Sequence, residues 1–252
     1  MNQSSVNILG IPVHKYSMEQ TIGLIDYNIA NNIVTHHVVV NAAKLVNARK
    51  DSELRQAIVN SDIINADGQS VVWASALLGQ PLPERVAGID LMINLVEMAS
   101  RKGYKIFLLG ATEQVLQAVV KKYNDQYGPQ LVAGFRNGYF SAEEEYEVAR
   151  QIGESGAHLL FVAITSPKKE KFLNKYKSII NIPFIMGVGG SFDVIAGKTK
   201  RAPLWMQKAG LEWLYRVWQE PRRMWKRYLV GNSVFIYLVL REKIRQLFGS
   251  KK

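Results

Sequence analysis

The sequence predicts an α/β fold: a Rossmann-like, mainly parallel sheet flanked by helices, with a basic helical appendage at its C-terminal end. Short β-rich runs alternate with longer helical patterns through the first 195 residues. A strand–helix–strand order repeated in this way builds a parallel layer with helices on its faces. With 48% hydrophobic residues in 252, the chain can bury one sizeable core. The charge is partitioned as well. Residues 198–252 carry 14 Lys and Arg against 3 Asp and Glu, which accounts for the whole net charge of +11 and leaves the first 197 residues neutral. The expected division is an α/β domain over residues 1–195 and an appendage over 196–252.

Taken in chain order, THHVVV (35–40) and DIINA (62–66) read as buried strands, followed by a helical run SVVWASALLG (70–79). IDLMINLVEMASRKG (89–103) and EQVLQAVVKKYNDQYG (113–128) read as helices that stop at glycine, with the strand YKIFLLG (104–110) between them. QLVAGF (130–135), HLLFVAI (158–164) and PFIMGVG (183–189) complete the expected strands. Past Gly197, Pro221 stands where a helix can start, and Arg222/Lys226 and Arg223/Arg227 then share faces by i, i+4 spacing. Met224, Trp225, Tyr228, Leu229, Phe235, Ile236, Val239 and Leu240 form an apolar stripe beside them. That stripe suits either a helix packed on a core or one lying in a membrane interface. Four of the five tryptophans (Trp205, Trp213, Trp218, Trp225) fall in this basic segment, and Trp favours the membrane–water boundary. An anionic membrane surface met through residues 201–245 is the expected partner.

Several chemistries are set aside. The chain has no cysteine, so disulfides, thiolate metal sites and thiol catalysis are excluded. The four histidines (His14, His36, His37, His158) form no HExxH or other paired ligand spacing. His36 and His37, adjacent in a strand, must face opposite sides of the sheet. There is no GxSxG elbow. The opening residues lack a secretory pattern. The run Tyr228–Leu240 is 13 residues, short of the roughly 20 needed to span a bilayer. A cytoplasmic protein, peripheral on the inner face of the membrane, is expected.

Ligands of open parallel sheets sit beyond the carboxyl ends of the strands, and the candidate residues are concentrated there. Asn41 follows the first strand and can cap a helix or reach a ligand. Asp67–Gly68 follows the next; the carboxylate can accept a proton from a substrate hydroxyl, or the pair can form a turn that uses glycine's positive φ. Gly110 and Thr112 stand where a strand gives way to a helix, the glycine allowing close approach to the backbone and the threonine able to cap a helix that favours phosphate. Ser166, Lys168, Lys169 and Glu170, and the turn Gly187, Gly189, Gly190 with Phe192 and Asp193, could each hold a base, a ribose or a diphosphate. No DxD pair is present to hold a divalent ion against a sugar-nucleotide. A bound diphosphate would therefore be neutralised by cations and helix N-termini, with Arg85 the best-placed cation in the α/β body.

In order, NAAK, NADGQSVVW, PERVAGIDL, SPKKE, GVGGSFDVIAGKTKRAP and GLEWLYRVWQEPRRMWKRY resemble the WecG/TagA/CpsF glycosyltransferases, from about residue 35 to 230. These are bacterial enzymes that add a sugar to a lipid-diphosphate-linked acceptor at the cytoplasmic membrane face. The resemblance implies an inverting transfer from a UDP-sugar donor to an undecaprenyl-diphosphate-linked saccharide, with no cofactor and no bound metal. It implies Asp67 as the catalytic base and Arg85 beside the acceptor or leaving diphosphate. Arg216, Arg222, Arg223 and Arg227 resemble the arginines that close over the site when the appendage docks on the membrane. Two departures bear on the sugar. Members that transfer N-acetylmannosamine have TPNA where this chain has Val39-Val40-Asn41-Ala42, and members often have SPxQE where this chain has Ser166-Pro167-Lys168-Lys169-Glu170. Polar changes at a sugar pocket shift the preferred sugar, so N-acetylmannosamine and other hexoses both stand as donors.

Two other classes fit parts of the sequence. Basic residues interleaved with aromatics also describe a non-catalytic binder of single-stranded nucleic acid, but such a surface gives no reason for Asp67-Gly68 or the glycine turn on the neutral body. No nucleic-acid partner is therefore expected. A membrane scaffold with an inactive site would bind vesicles without turnover. A homo-oligomer is compatible with all three.

Overall fold

The computed structural model describes residues 4–249. The chain opens with a hairpin of β1 (Ser5–Ile8) and β2 (Ile11–His14), antiparallel and joined through Leu9 and Gly10, both at positive φ (54° and 85°). A two-residue turn of this hand matches the twist of the strands it joins, and Asn7 Oδ1 accepts from Gly10 N–H at 2.8 Å. Helix α1 (Met18–Ala30) follows a capping box in which Ser17 and Gln20 satisfy each other's backbone N–H.

The alternation expected over the body is present. It runs β3 (Thr35–Val40), α2 (Ala42–Ala48), α3 (Ser52–Val59), β4 (Ile63–Ala66), α4 (Gln69–Leu77), α5 (Gly88–Lys102), β5 (Ile106–Gly110) and α6 (Glu113–Tyr127). It continues through β6 (Val132–Arg136), α7 (Glu145–Gly153), β7 (Leu159–Ala163), α8 (Lys168–Ile180), β8 (Phe184–Gly187) and α9 (Ser191–Ile195). The six strands β3–β8 pair in the order β4-β3-β8-β7-β5-β6, and every pairing is parallel. All the carboxyl ends therefore open on one edge of the sheet.

Alternation along the strands divides the core. Ile63, Leu108, Phe161, Phe184 and Met186 bury against Leu91 and Leu95 of α5, Leu116 of α6 and Phe192 of α9. On the opposite face, Val38, Val40, Ile64 and Ala66 pack with the hairpin, α2, α3 and α4, while Phe107, Leu109, Leu160 and Val162 pack with α7 and α8.

Beyond α9 the chain forms α10 (Leu204–Lys208), α11 (Glu212–Gln219) and α12 (Pro221–Trp225), a π-helical turn (Lys226–Val230) and α13 (Gly231–Gly249). The helix start expected at Pro221 is present. Of the apolar stripe, Phe235 and Val239 are buried in the core that α2 and α4 share, while Leu229, Ile236 and Leu240 are exposed. The core-packing reading of the stripe thus holds for Phe235 and Val239, and the exposed residues have no core to cover them. Met224 has its side chain outside the described residues, and no described helix is long and apolar enough to cross a membrane.

Candidate active site

The site is assembled at the carboxyl edge, where β4, β3 and β8 lie side by side. Asp67 directly follows β4, its N–H bonded to Val40 O at 2.9 Å, so the neighbouring strand fixes its backbone. Its carboxylate Oδ1 accepts from Gly88 N–H, the first residue of α5, at 3.0 Å. One oxygen is thereby held at a helix N-terminus, where negative charge is favoured. Asn41 Oδ1 accepts from Lys44 N–H at 3.0 Å and caps α2, as one of its two readings expected. Gly68 is the N-cap of α4 at φ −93°, so the positive-φ turn weighed for Asp67-Gly68 is not formed. Its glycine serves closeness instead: a Cβ there would come within 3.3 Å of Asn41 Cβ. The strand ends of β3 and β4 thus bring Asn41 and Asp67 together.

Cations meet at the start of α5, the helix that also holds Asp67. Arg85, in the loop before α5, approaches Glu212 of α11 at 3.3 Å. Arg201 grips Asp90 in the first turn of α5 two-pronged, at 2.5 and 2.7 Å. That double bond is the first cause holding the Arg201 guanidinium pKa above its ordinary value, against partial burial. Arg201 Nε lies 3.5 Å from Glu212 Oε1, and Arg216 Nη2 lies 4.0 Å from the same oxygen. Arg216 also reaches the glycine turn: its Nη1 is 3.9 Å from where a Cβ on Gly190 would stand, as is Asp193 Oδ2. Gly189 in that turn has φ +54°. The appendage is seated here by Gly210 (φ +72°), where a side chain would strike Gln69 of α4 at 2.8 Å.

Beneath β3 and β8 lies a buried ionic cluster. Glu170 Oε1 is 3.1 Å from Lys44 Nζ and 3.5 Å from Lys169 Nζ, and all three side chains are largely enclosed. Burial alone would raise the Glu170 pKa, but the two lysines outweigh it and hold the carboxyl at about 2. Lys169 lies across Gly187, where a Cβ would sit 2.4 Å from its Cε. His37 Nε2 contacts Asn65 Oδ1 at 2.9 Å on one face of the sheet, and His36 is buried on the other. Burial keeps both neutral, with pKa values of about 3 and 4.

The remaining candidates are placed differently. At Gly110 (φ +121°) the space a side chain would take is filled by the Ala163 backbone, 2.6 Å away, so this glycine serves strand packing rather than leaving an opening for a ligand. Thr112 accepts from Val115 N–H at 3.4 Å and caps α6. Ser166 is exposed; Lys168 turns to Phe140, its Nζ 4.9 Å from the ring centre. Phe192 is fully buried in the core and offers packing rather than a ligand contact, and Asp193 pairs with Lys198 at 3.2 Å. Arg222 is exposed on α12; the side chains of Arg223 and Arg227 lie outside the described residues. Four charged groups escape sequence reasoning: Lys44, Asp90, Arg201 and Glu212. Each sits inside a motif already singled out (NAAK, PERVAGIDL, KTKRAP, GLEWLYR), and only the fold shows that the last three converge. Two surface cavities, of about 640 Å³ beside Lys122 and Gly197 and about 440 Å³ beside Tyr27 and Thr35, border neither Asp67 nor the arginines. No cluster of three His, Asp or Glu able to hold a metal occurs among the described residues.

A half-buried carboxylate held at a strand end can take a proton from a hydroxyl, and guanidiniums gathered at the start of α5 can steady a departing anion. Comparison with known proteins identifies the family. The profile of the glycosyl transferase WecG/TagA/CpsF family matches residues 6–248. The chain is 36% identical over 204 residues (81% of this chain, 78% of the relative) to the N-acetylglucosaminyldiphosphoundecaprenol N-acetyl-beta-D-mannosaminyltransferase of Bacillus subtilis strain 168. It is 35% identical over 205 residues (81% and 77%) to the protein of the same name from Bacillus spizizenii. The chain belongs to the WecG/TagA/CpsF family and is a glycosyltransferase.

Proposed function

We propose that this enzyme transfers an N-acetylmannosamine-type hexose from a UDP-sugar to an undecaprenyl-diphosphate-linked saccharide, with inversion, in the building of a cell-surface polysaccharide or teichoic acid. The observation that carries the reading is Asp67: a carboxylate fixed through Oδ1 by Gly88 N–H, with no described donor on Oδ2; two residues beyond Gly88, Asp90 holds Arg201, which meets Glu212 together with Arg85 and Arg216. The free oxygen accepts the proton of an acceptor hydroxyl. The hydroxyl oxygen then bonds to the anomeric carbon, and the bond from that carbon to the UDP oxygen breaks with its electron pair. The guanidiniums stabilise the charge that collects on the diphosphate. Asn41 and the Lys169 region line the sugar side, and the substitutions there relative to TPNA and SPxQE bear on which hexose is preferred.

The appendage is read as the membrane-docking part. Leu204, Trp205, Trp218, Leu229, Ile236, Leu240 and Phe248 are exposed apolar side chains in a segment with a large excess of Lys and Arg, a combination that favours the interface of an anionic bilayer. The enzyme would act peripherally on the inner membrane face, where a lipid-linked acceptor is held. Incubating the full chain with a panel of UDP-sugars and a lipid-diphosphate-linked acceptor tests this. UDP release is expected with a UDP-N-acetylhexosamine, and Asp67→Asn should lower turnover by about 10²- to 10⁴-fold. Turnover by Asp67→Asn equal to wild type, or no release with any donor, would defeat the proposal.

A further inference from the structure

Glu212 lies among the arginines rather than beside one of them. Its oxygens stand 3.3 Å from Arg85, 3.5 Å from Arg201 Nε and 4.0 Å from Arg216. A well-made guanidinium–carboxylate contact is about 2.7–2.9 Å, and the Arg201–Asp90 pair in the same cluster is at least that short. The three approaches to Glu212 are not. Arg201 Nε is buried and makes no hydrogen bond. Three guanidiniums meet at Glu212, and one of them, Arg201, also holds Asp90. One carboxylate with two oxygens cannot satisfy three such forks, each with five N–H donors.

We propose that Glu212 is an internal stand-in for the substrate diphosphate, holding Arg85, Arg201 and Arg216 together until the diphosphate displaces it. The inference rests on the reading above that these arginines receive a diphosphate. A diphosphate supplies more oxygens and more charge than the carboxylate, and like charges this close cannot share the position without cost. Glu212 is the first residue of α11, so its displacement frees the start of that helix. Occupancy of the site is thereby coupled to the appendage.

Isothermal titration of the full chain with inorganic pyrophosphate separates this from the transfer reaction itself. Glu212→Gln removes the competing charge and should bind pyrophosphate roughly five- to tenfold more tightly than wild type. Glu242→Gln, the same charge change on α13, should leave the affinity unaltered. Unchanged or weaker binding by Glu212→Gln, as expected of a brace that orients the arginines, would overturn the proposal. So would equal tightening by Glu242→Gln. Wild-type hydrogen exchange supplies a measurement independent of any variant: saturating pyrophosphate should speed exchange of the α11 amides, and slower or unchanged exchange counts against the stand-in. Tightening by Glu212→Gln without sugar transfer by wild type would support the stand-in and overturn only the substrate reading. Transfer without tightening would do the reverse.

Discussion

A strand-end carboxylate serves as a base only if something holds it still and leaves one oxygen open, and Gly88 N–H does the first for Asp67. At this scale the buried titratable groups have consequences for acid stability. His36 and His37 are held neutral, at about 4 and 3, chiefly by burial. An unfolded chain takes up protons below the ordinary value of 6.5 that the folded chain refuses. The stability is therefore complete above pH 6.5 and is lost as pH falls toward 4 and then 3. Glu170 acts in the same direction over a lower window, its stabilisation present above 4.5 and lost as pH falls through about 2. Thermal unfolding between pH 7.5 and 4.5 should show a loss on the order of a few kcal/mol, reduced in His37→Asn. A flat profile would mean that these side chains are not enclosed. Asp67 and Asn41 were legible because strand ends in a parallel sheet are where ligands sit. Glu212 was not: a glutamate in a basic amphipathic helix, four residues from Arg216, reads as an ordinary surface charge until the fold brings Arg85 and Arg201 to it as well.

Among the elements, α13 shows both what a periodic pattern reveals and what it leaves open. The stripe Phe235, Ile236, Val239, Leu240 marks an apolar face but does not say what covers it. The fold divides it, with Phe235 and Val239 enclosed by the core and Ile236 and Leu240 facing out. Phe235→Ala should therefore destabilise by about 3–5 kcal/mol, the cost of a large cavity, as read by chemical denaturation. Ile236→Ser should change stability by less than about 0.5 kcal/mol yet weaken sedimentation with anionic vesicles. Equal destabilisation by the two would refute this division of faces. The β1–β2 hairpin was not legible, because its strands are four residues each and its turn is Leu9-Gly10 rather than an Asn-Gly pair. Helix α1 did carry a signal, Ser17 with Gln20 three residues on, but its fully buried face is thin: Thr21, Ile25 and Ile29.

For the whole molecule, the six-stranded parallel sheet was legible because each of its strands is a short apolar run bounded by turn residues, and all six lie within the expected segments or a residue beyond them. Strand order was not, since parallel neighbours are set by crossovers whose lengths do not specify a partner. The proposed boundary near residue 195 is spanned by Arg201–Asp90, Arg85–Glu212 and the burial of Phe235. A chain cut after Lys198 should therefore fold with lowered stability, fail to sediment with anionic vesicles and lose most transfer activity. Vesicle binding retained by the truncated chain would take the docking role away from the appendage.

Near its start, α13 rests on the body: Gly231 packs against Ala43, two residues beyond Asn41, where a side chain would sit 3.7 Å from the alanine Cβ. Its 19 residues form a rod of about 28 Å at 1.5 Å per residue. The rod is fastened two residues from Asn41, so its outward side would set a fixed standoff between that strand end and any surface the helix lay on. An acceptor carried in that surface would be met at one height, chosen by a strut rather than by the swing of a tether.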